Sequence, residues 1–156
     1  MKVSNYLLPD RIHLNVELPD KVSVLRFISQ AFQKNKVARD AEKVYQALMK
    51  REEMMSTGIG GGIGIPHALT PEVEDVAIIL IQLRPGIPFQ AFDNRPVDII
   101  IGLAVPENET TMHLRALAGI CGLCKKPGML KEIRSAQDPG ALWQKIKQAE
   151  DGAEEF

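Results

Sequence analysis

Apolar residues change their spacing twice along this chain, from a helical period to strand-like runs and back. Leu25, Ile28 and Phe32 fall on one face, with Val22 just before them, and Asp20 is a good N-cap. This predicts an amphipathic helix over 21–34. Ala41, Val44, Tyr45 and Leu48 match the i, i+3, i+4, i+7 template behind a second cap, Asp40. That helix is expected to run to about Glu53. A short extended segment, Ile12–Val16, precedes both. Val76–Leu83 (broken by Gln82) and Val97–Val105 are β-branched apolar runs of strand length and read as central strands. Pro85-Gly86 and Asp93-Asn94 mark turns between them. Thr110 or Thr111 caps a third helix, with Leu114, Leu117, Ala118 and Cys121 as its inner face. Pro127 and Pro139 suit the first turns of two short final helices. Asp138 caps the last of these and points Leu142 and Ile146 inward. The order predicts an α/β or α+β domain around one mixed sheet. Residues 1–150 read as a single domain. The acidic end, from Glu150 and chiefly 151–156, reads as a frayed tail.

Composition narrows the functional classes. With 156 residues, 45% hydrophobic and 25% charged, the chain is globular and large enough to bury a core without disulfide or metal staples. A formal net charge of −1 gives no global basic field for nucleic acid or anionic lipid. The two cysteines, Cys121 and Cys124, make no disulfide framework and suit a reducing compartment. The apolar start is cut short by Pro9, Asp10 and Arg11, so it does not make a signal peptide. Both long apolar runs are far short of a membrane span. A cytoplasmic protein with no membrane insertion is expected.

Candidate chemistry centres on Ser56–His67. Gly58, Gly60, Gly61, Gly62 and Gly64 crowd together there, with Ile59, Ile63 and Ile65 between them. The pattern resembles a strand with bare backbone between its side chains. Glycine weakens a strand, so the cluster serves either a bound group approaching backbone N–H donors or a close packing of backbones. Dinucleotide and P-loop spacings both fail: Ile63 stands where a glycine is needed, and no Gly-Lys-Ser/Thr follows. Pro66 pushes Ile65 extended, which places His67 where a strand ends. Imidazole is a competent nucleophile near neutral pH, although a lone histidine is more often inert. His113 falls in the first turn of the third helix, where anions are favoured and a histidine pKa is lowered. Arg51 ends the second helix; it suits phosphoryl oxygens, or merely complements a helix C-terminus. Ser56 and Thr57 can offer hydroxyls or simply begin a strand. The C-x-x-C at Cys121 and Cys124 lacks a second pair or a downstream histidine, so buried thiols fit better than zinc. His13 has no motif around it.

These residues together resemble a known family. Ser56-Thr-Gly-Ile-Gly-x-Gly-Ile-x-Ile-Pro-His67 is similar to the active-site signature of type-2 EIIA domains of the bacterial phosphoenolpyruvate-dependent phosphotransferase system. Val97–Glu107 followed by Thr111-Met-His113-Leu resembles the family's core strand and the helix bearing its second histidine. Arg51 stands at about the family's interval before His67. The resemblance extends from about Tyr6 to Ile146. It implies an α/β domain with a mixed five-stranded sheet flanked by helices on both faces. It also implies that His67 accepts a phosphoryl group through Nε2 from HPr or its nitrogen-related paralogue. Arg51 would hold the phosphoryl oxygens, and His113 would bond the phosphate or orient His67. Ser56, Thr57, Gly58 and Gly60 would assist, and no metal or other cofactor is implied. Gly61 and Gly64 depart from the Asn and Ala common in the family, and both changes remove side chains. A nitrogen-related regulatory protein fits best. A sugar-specific EIIA passing phosphate to an EIIB cysteine is the alternative, and a binding module that never carries phosphate is a further one. A metal-dependent hydrolase fits poorly, since no carboxylate stands at a metal spacing from either histidine. Ile59, Ile63 and Leu69 are the nearest apolar candidates for a docking patch.

Overall fold

The structure, a computed structural model, describes the backbone of residues 1–154 and the side chains of residues 1–152. α1 (Lys21–Lys34) and α2 (Ala41–Met54) start at the aspartates expected to cap them. Asp20 accepts from the Ser23 amide at 2.8 Å, and Asp40 from the Glu42 amide at 2.9 Å. Leu25, Ile28, Phe32 and Val44 are fully buried, and Leu48 nearly so. This stripe packs on one face of the sheet, against Ala77, Ile79, Ile81 and Ile100. On the other face α3 (Thr110–Lys125), α4 (Met129–Ser135) and α5 (Pro139–Glu154) cover Ile78, Leu80, Ile99, Ile101 and Leu103. Alternate residues of the same strands thus feed two cores, and the domain has three layers.

The strands are β1 (Ile12–Val16), β2 (Gly58–Gly60), β3 (Ile63–Gly64), β4 (His67–Thr70), β5 (Ala77–Ile87) and β6 (Val97–Pro106). Their order is β1-β5-β6-β3-β2, with β4 also on β6. β5 and β6 pair antiparallel at the centre, while β1 runs parallel to β5, and β3 and β4 run parallel to β6. Six segments appear where five strands were expected, and the reason is local. Ile63 faces Ile99 and His67 faces Leu103, so β3 and β4 keep one register and form a single line broken at Ile65-Pro66. At the break the Ile65 amide donates sideways to the Thr57 carbonyl at 2.9 Å, while Pro66 has no N–H to give.

Several local readings differ from the structure. The glycine stretch is not one strand but a hairpin, β2 against β3, turned by Gly60, Gly61 and Gly62 at φ of 93°, 67° and 82°. His67 begins a strand instead of ending one. Pro85-Gly86 lies within β5, at an irregularity in its pairing with β6, whereas Asp93-Asn94 does form a turn, closed by Asn94 N–H to the Ala91 carbonyl. In α3 the buried face is Ala116, Ile120, Leu123 and Cys124, and Leu114 is 69% exposed. That helix is apolar nearly all round, so several stripes fit the same template and contact with the sheet decides. Glu109 precedes α3 as its cap residue without a side-chain bond, and Thr110 is already helical. Gly128, in the left-handed region, precedes α4, leaving Pro127 outside it.

The final helix is longer than expected. It continues through Glu150 to Glu154; residues 155 and 156 of the expected tail lie outside the described residues. Glu150 is buried and accepts the Val3 and Ser4 amides at 2.7 and 2.9 Å, tying the N-terminal 3-10 turn to α5. Trp143 Nε1 donates to the Ser4 carbonyl beside it. Glu150→Ala removes two charge-assisted bonds and leaves buried amides unpaired. Urea denaturation is expected to show a loss of about 2–4 kcal/mol, with the m-value unchanged.

Candidate active site

α2 delivers Arg51 in its last turn, where Nη1 donates to the Met55 carbonyl at 2.7 Å and closes the helix end. One residue on, Glu52 is buried. It accepts from the Thr57 amide at 2.7 Å, from the Thr57 hydroxyl, and from Lys21 Nζ at 2.9 Å. Lys21 also lies 4.5 Å from the centre of the Phe89 ring. Ser56 Oγ donates to the Phe89 carbonyl at 2.7 Å and accepts from the Gly58 amide at 3.1 Å. This frame fixes the chain as it leaves α2 and enters the hairpin. Glu52 was not singled out in the sequence, yet it continues the stripe Ala41, Val44, Tyr45 and Leu48. An acid on an apolar stripe was the available signal.

The hairpin glycines serve close packing. A Cβ at Gly58 would lie 2.8 Å from that of Ala91, one at Gly60 would meet Phe92 at 2.9 Å, and one at Gly62 would meet Arg134 and Asp98. The Gly61 amide donates to Asp93. Ser56 and Thr57 spend their hydroxyls on Phe89 and Glu52. The structure therefore sets Ser56, Thr57, Gly58 and Gly60 in the support of the site.

His67 and His113 do come together. The ring centroids are 5.2 Å apart, tilted by 56°. His67 opens β4 opposite Leu103, near the carboxyl end of β6, and α3 brings His113 back in its first turn. Nδ1 of His67 lies 2.7 Å from the Ile65 carbonyl. A carbonyl only accepts, so Nδ1 carries the proton and Nε2 keeps its lone pair. Nε2 of His113 is buried and, among the described residues, has no hydrogen-bond partner. Burial holds both imidazoles below their usual pKa. The positive charge of Arg51 lowers both further, and His113 also feels His67. At His67 the Ile65 bond and Glu52 oppose the shift without reversing it. Two neutral imidazoles and a guanidinium thus share one local field, suited to receiving an anion.

Large apolar side chains stand beside these residues in the chain: Met54 at 77% exposure, Met55 at 72% and Leu114 at 69%. Of the apolar candidates from sequence, Ile59 is exposed and Leu69 half-buried, but Ile63 is in the core. Burial, and secondarily Cys121, pushes the Cys124 thiol up to about 11, and both cysteines are free. Among the described residues no group of three or more His, Cys, Asp or Glu side chains could hold a metal, and no helix is long and apolar enough to cross a membrane.

Fold and site together define a class: a single-sheet α/β domain with a half-buried histidine pair near the end of its central strand, in the field of an arginine from a helix end. The chain belongs to the type-2 EIIA family. The family described as "Phosphoenolpyruvate-dependent sugar phosphotransferase system, EIIA 2" matches residues 5–149. The nitrogen regulatory protein of Klebsiella oxytoca is 33% identical over 150 residues, covering 96% of this chain and 92% of that one. The fructose-specific EIIABC component of Bacillus subtilis is 30% identical over 148 residues, 95% of this chain but 23% of that longer protein. The crystal structure of the nitrogen regulatory protein IIA-Ntr from Neisseria meningitidis superposes with a TM-score of 0.85 at 25% identity, covering 92% of this chain and 98% of that one.

Nitrogen-15 NMR through a pH titration tests the electrostatics. His67 should be the Nδ1–H tautomer at pH 7, both imidazoles should titrate below 6.5, and Arg51→Gln should raise both values. Folding lowers these pKa values, so the unfolded chain takes up protons first. Stability is therefore full above about 6.5 and declines as the pH falls below it, a trend that equilibrium unfolding at stepped pH would register.

Proposed function

We propose that this protein is a cytoplasmic phosphocarrier. In this reading His67 accepts a phosphoryl group on Nε2 from a phosphohistidine of HPr or its nitrogen-related paralogue, and the phosphorylated state regulates partner proteins. The observation that carries the reading is the bond from His67 Nδ1 to the Ile65 carbonyl, which leaves Nε2 as the nucleophile. In transfer, the donor's P–N bond breaks and its electron pair returns to the donor nitrogen. The lone pair of Nε2 forms the new P–N bond. The proton stays on Nδ1, hydrogen-bonded to the Ile65 carbonyl, so none must leave for the step to proceed. Positive charge arising on the imidazole is offset by that carbonyl and by the phosphoryl group itself. Such a transfer asks the protein for positioning and charge stabilisation, with little covalent work.

Arg51 would turn its guanidinium from the Met55 carbonyl toward the phosphoryl oxygens, and His113 would donate to them or hold the His67 ring. Ser56, Thr57, Gly58 and Gly60 would act by holding the hairpin and the end of α2 in place. Met54, Met55 and Leu114 would form the apolar centre of the donor's docking surface. The regulatory role is favoured because the Klebsiella oxytoca relative of matching length is a nitrogen regulatory protein. Transfer onward to an EIIB cysteine is the second reading, supported by identity to the fructose-specific EIIABC component.

Intact mass after mixing with phosphoenolpyruvate, the system's first enzyme and HPr or its paralogue tests this. A gain of one acid-labile phosphate is expected, absent in His67→Ala and with that variant still folded. Arg51→Ala and His113→Ala should slow the gain by roughly ten- to a thousandfold, as loss of a stabilising donor does elsewhere. No gain with either donor would leave a non-phosphorylating binding module. Added EIIB and sugar separate the two carrier roles: rapid loss of the phosphate to EIIB would favour uptake over regulation.

A further inference from the structure

A cavity of about 700 Å³ that neither His67 nor His113 lines is walled by Arg11, Lys36, Arg39, Glu72, Glu74 and Asp75 among others. Three segments frame it: the 3-10 turn Pro9–Arg11, the α1–α2 connection, and the loop from β4 to β5. Its size falls within the range of small-molecule sites, roughly 300–1,000 Å³.

The charges on its wall are not all spent on one another. Arg39 donates to Glu74 at 3.0 Å and to the Pro71 carbonyl at 2.6 Å. Asp75 accepts from the Val76 amide. Glu72 is different. It is only 9% exposed, and among the described residues its carboxylate has neither a hydrogen-bond nor an ion-pair partner. Its backbone is pinned on both sides, the amide donating to Thr70 Oγ1 and the carbonyl accepting from the Arg39 amide, each at 3.2 Å. Arg11 is similarly held and incompletely used. Nη1 donates to the Tyr6 carbonyl at 2.9 Å, Nε is buried without a hydrogen bond, and the nearest carboxylate, Asp10, is 3.9 Å away. Lys36 is exposed on the same wall.

The carboxylate of Glu72 meets solvent only where it lines the cavity, and a cation entering there would be its first charged partner. Here the same cavity also offers a cation that lacks a full complement of acceptors. One molecule carrying both charges answers both. A metal ion does not, since among the described residues no cluster of three suitable side chains exists. We propose that this cavity binds a small zwitterion of the α-amino-acid class, its ammonium on Glu72 and its carboxylate on Arg11 and Lys36. The remaining volume takes the amino-acid side chain. The site lies beyond the far end of β4 from His67, and it stands independently of the phosphocarrier reading.

Amide NMR on the full chain, titrated at millimolar concentration with the standard α-amino acids one at a time, tests the proposal. At least one should shift residues 5–11, 33–39 and 72–76 saturably. Its N-acetyl derivative and its decarboxylated amine should not. Glu72→Gln should weaken binding by roughly tenfold or more, the effect of removing one charged hydrogen-bond partner. If that variant does not fold, Lys36→Gln, at an exposed position, should weaken binding severalfold. Acceptance of phosphate at His67 should be unchanged in both. The proposal is overturned if no free amino acid shifts the cavity residues, or if the N-acetyl derivative binds equally. It is equally overturned if sodium or ammonium chloride alone reproduces the shifts, or if binding survives Glu72→Gln intact.

Discussion

The bond between Nδ1 of His67 and the carbonyl of Ile65, at 2.7 Å, decides what the histidine pair can do. It exists because the strand line breaks at Ile65-Pro66. In an unbroken parallel strand that carbonyl would be turned toward a neighbour's amide. Here the Ile65 amide turns to Thr57 and the Pro66 carbonyl to Leu103, and the Ile65 carbonyl meets the imidazole two residues on. The carbonyl of a residue whose amide is spent on Thr57 thus becomes the acceptor that sets a tautomer. With a different partner on Nδ1, the same histidine would present the other nitrogen.

The glycines and the buried Glu52 make that break affordable by rigidity elsewhere. A run of glycines loses much backbone entropy on folding, so the hairpin needs fixed contacts to stay in one shape. It has them in Ala91, Phe92 and Asp93 on one side and in Arg134 and Asp98 on the other. Glu52 pins the approach at Thr57, and Lys21 completes its charge balance within the frame. The family's usual Asn and Ala are absent at Gly61 and Gly64. At Gly64 a Cβ would stand 3.1 Å from Ile100 and 3.2 Å from Phe89, so the smaller residue fits this core, while Gly61 has open space around it.

What could be read from sequence follows from how local each signal is. α1 and α2 were legible to within about a residue because a capping aspartate and an apolar stripe act within a few positions. The central strands were legible because β-branched runs buried on both faces leave little choice. The hairpin was not: a glycine run has no side-chain period, and its turn depends on three positive φ angles. The inner face of α3 was not, because its apolar residues surround the helix. Glu150 was read as tail because its partners, Val3 and Ser4, lie at the opposite end of the chain. At the site, spacing alone left Arg51 as readily a helix-end charge as a phosphate ligand and put His113 no nearer to His67 than the first turn of the third helix. The resemblance placed them with His67, and the structure adds the 5.2 Å approach of the rings and the field of Arg51. No pattern in the sequence could supply the Nδ1 bond.

The electrostatics around His67 would link carrying to signalling in the proposed role. Burial first, and then Arg51, disfavour a protonated His67 against the opposing Ile65 bond and Glu52, which leaves a lone pair on Nε2 at neutral pH. The same positive field favours the group that would arrive, a phosphoryl bearing about −1.5 to −2 charges. Attachment would therefore change a positive, partly apolar surface beside Met54, Met55 and Leu114 into an anionic one. A partner that docks by apolar contact would lose affinity through desolvation of the new charge. A partner with a basic rim would gain it. On the proposed reading, that inversion of local charge is enough to distinguish two states, so one site would both carry the group and regulate a partner.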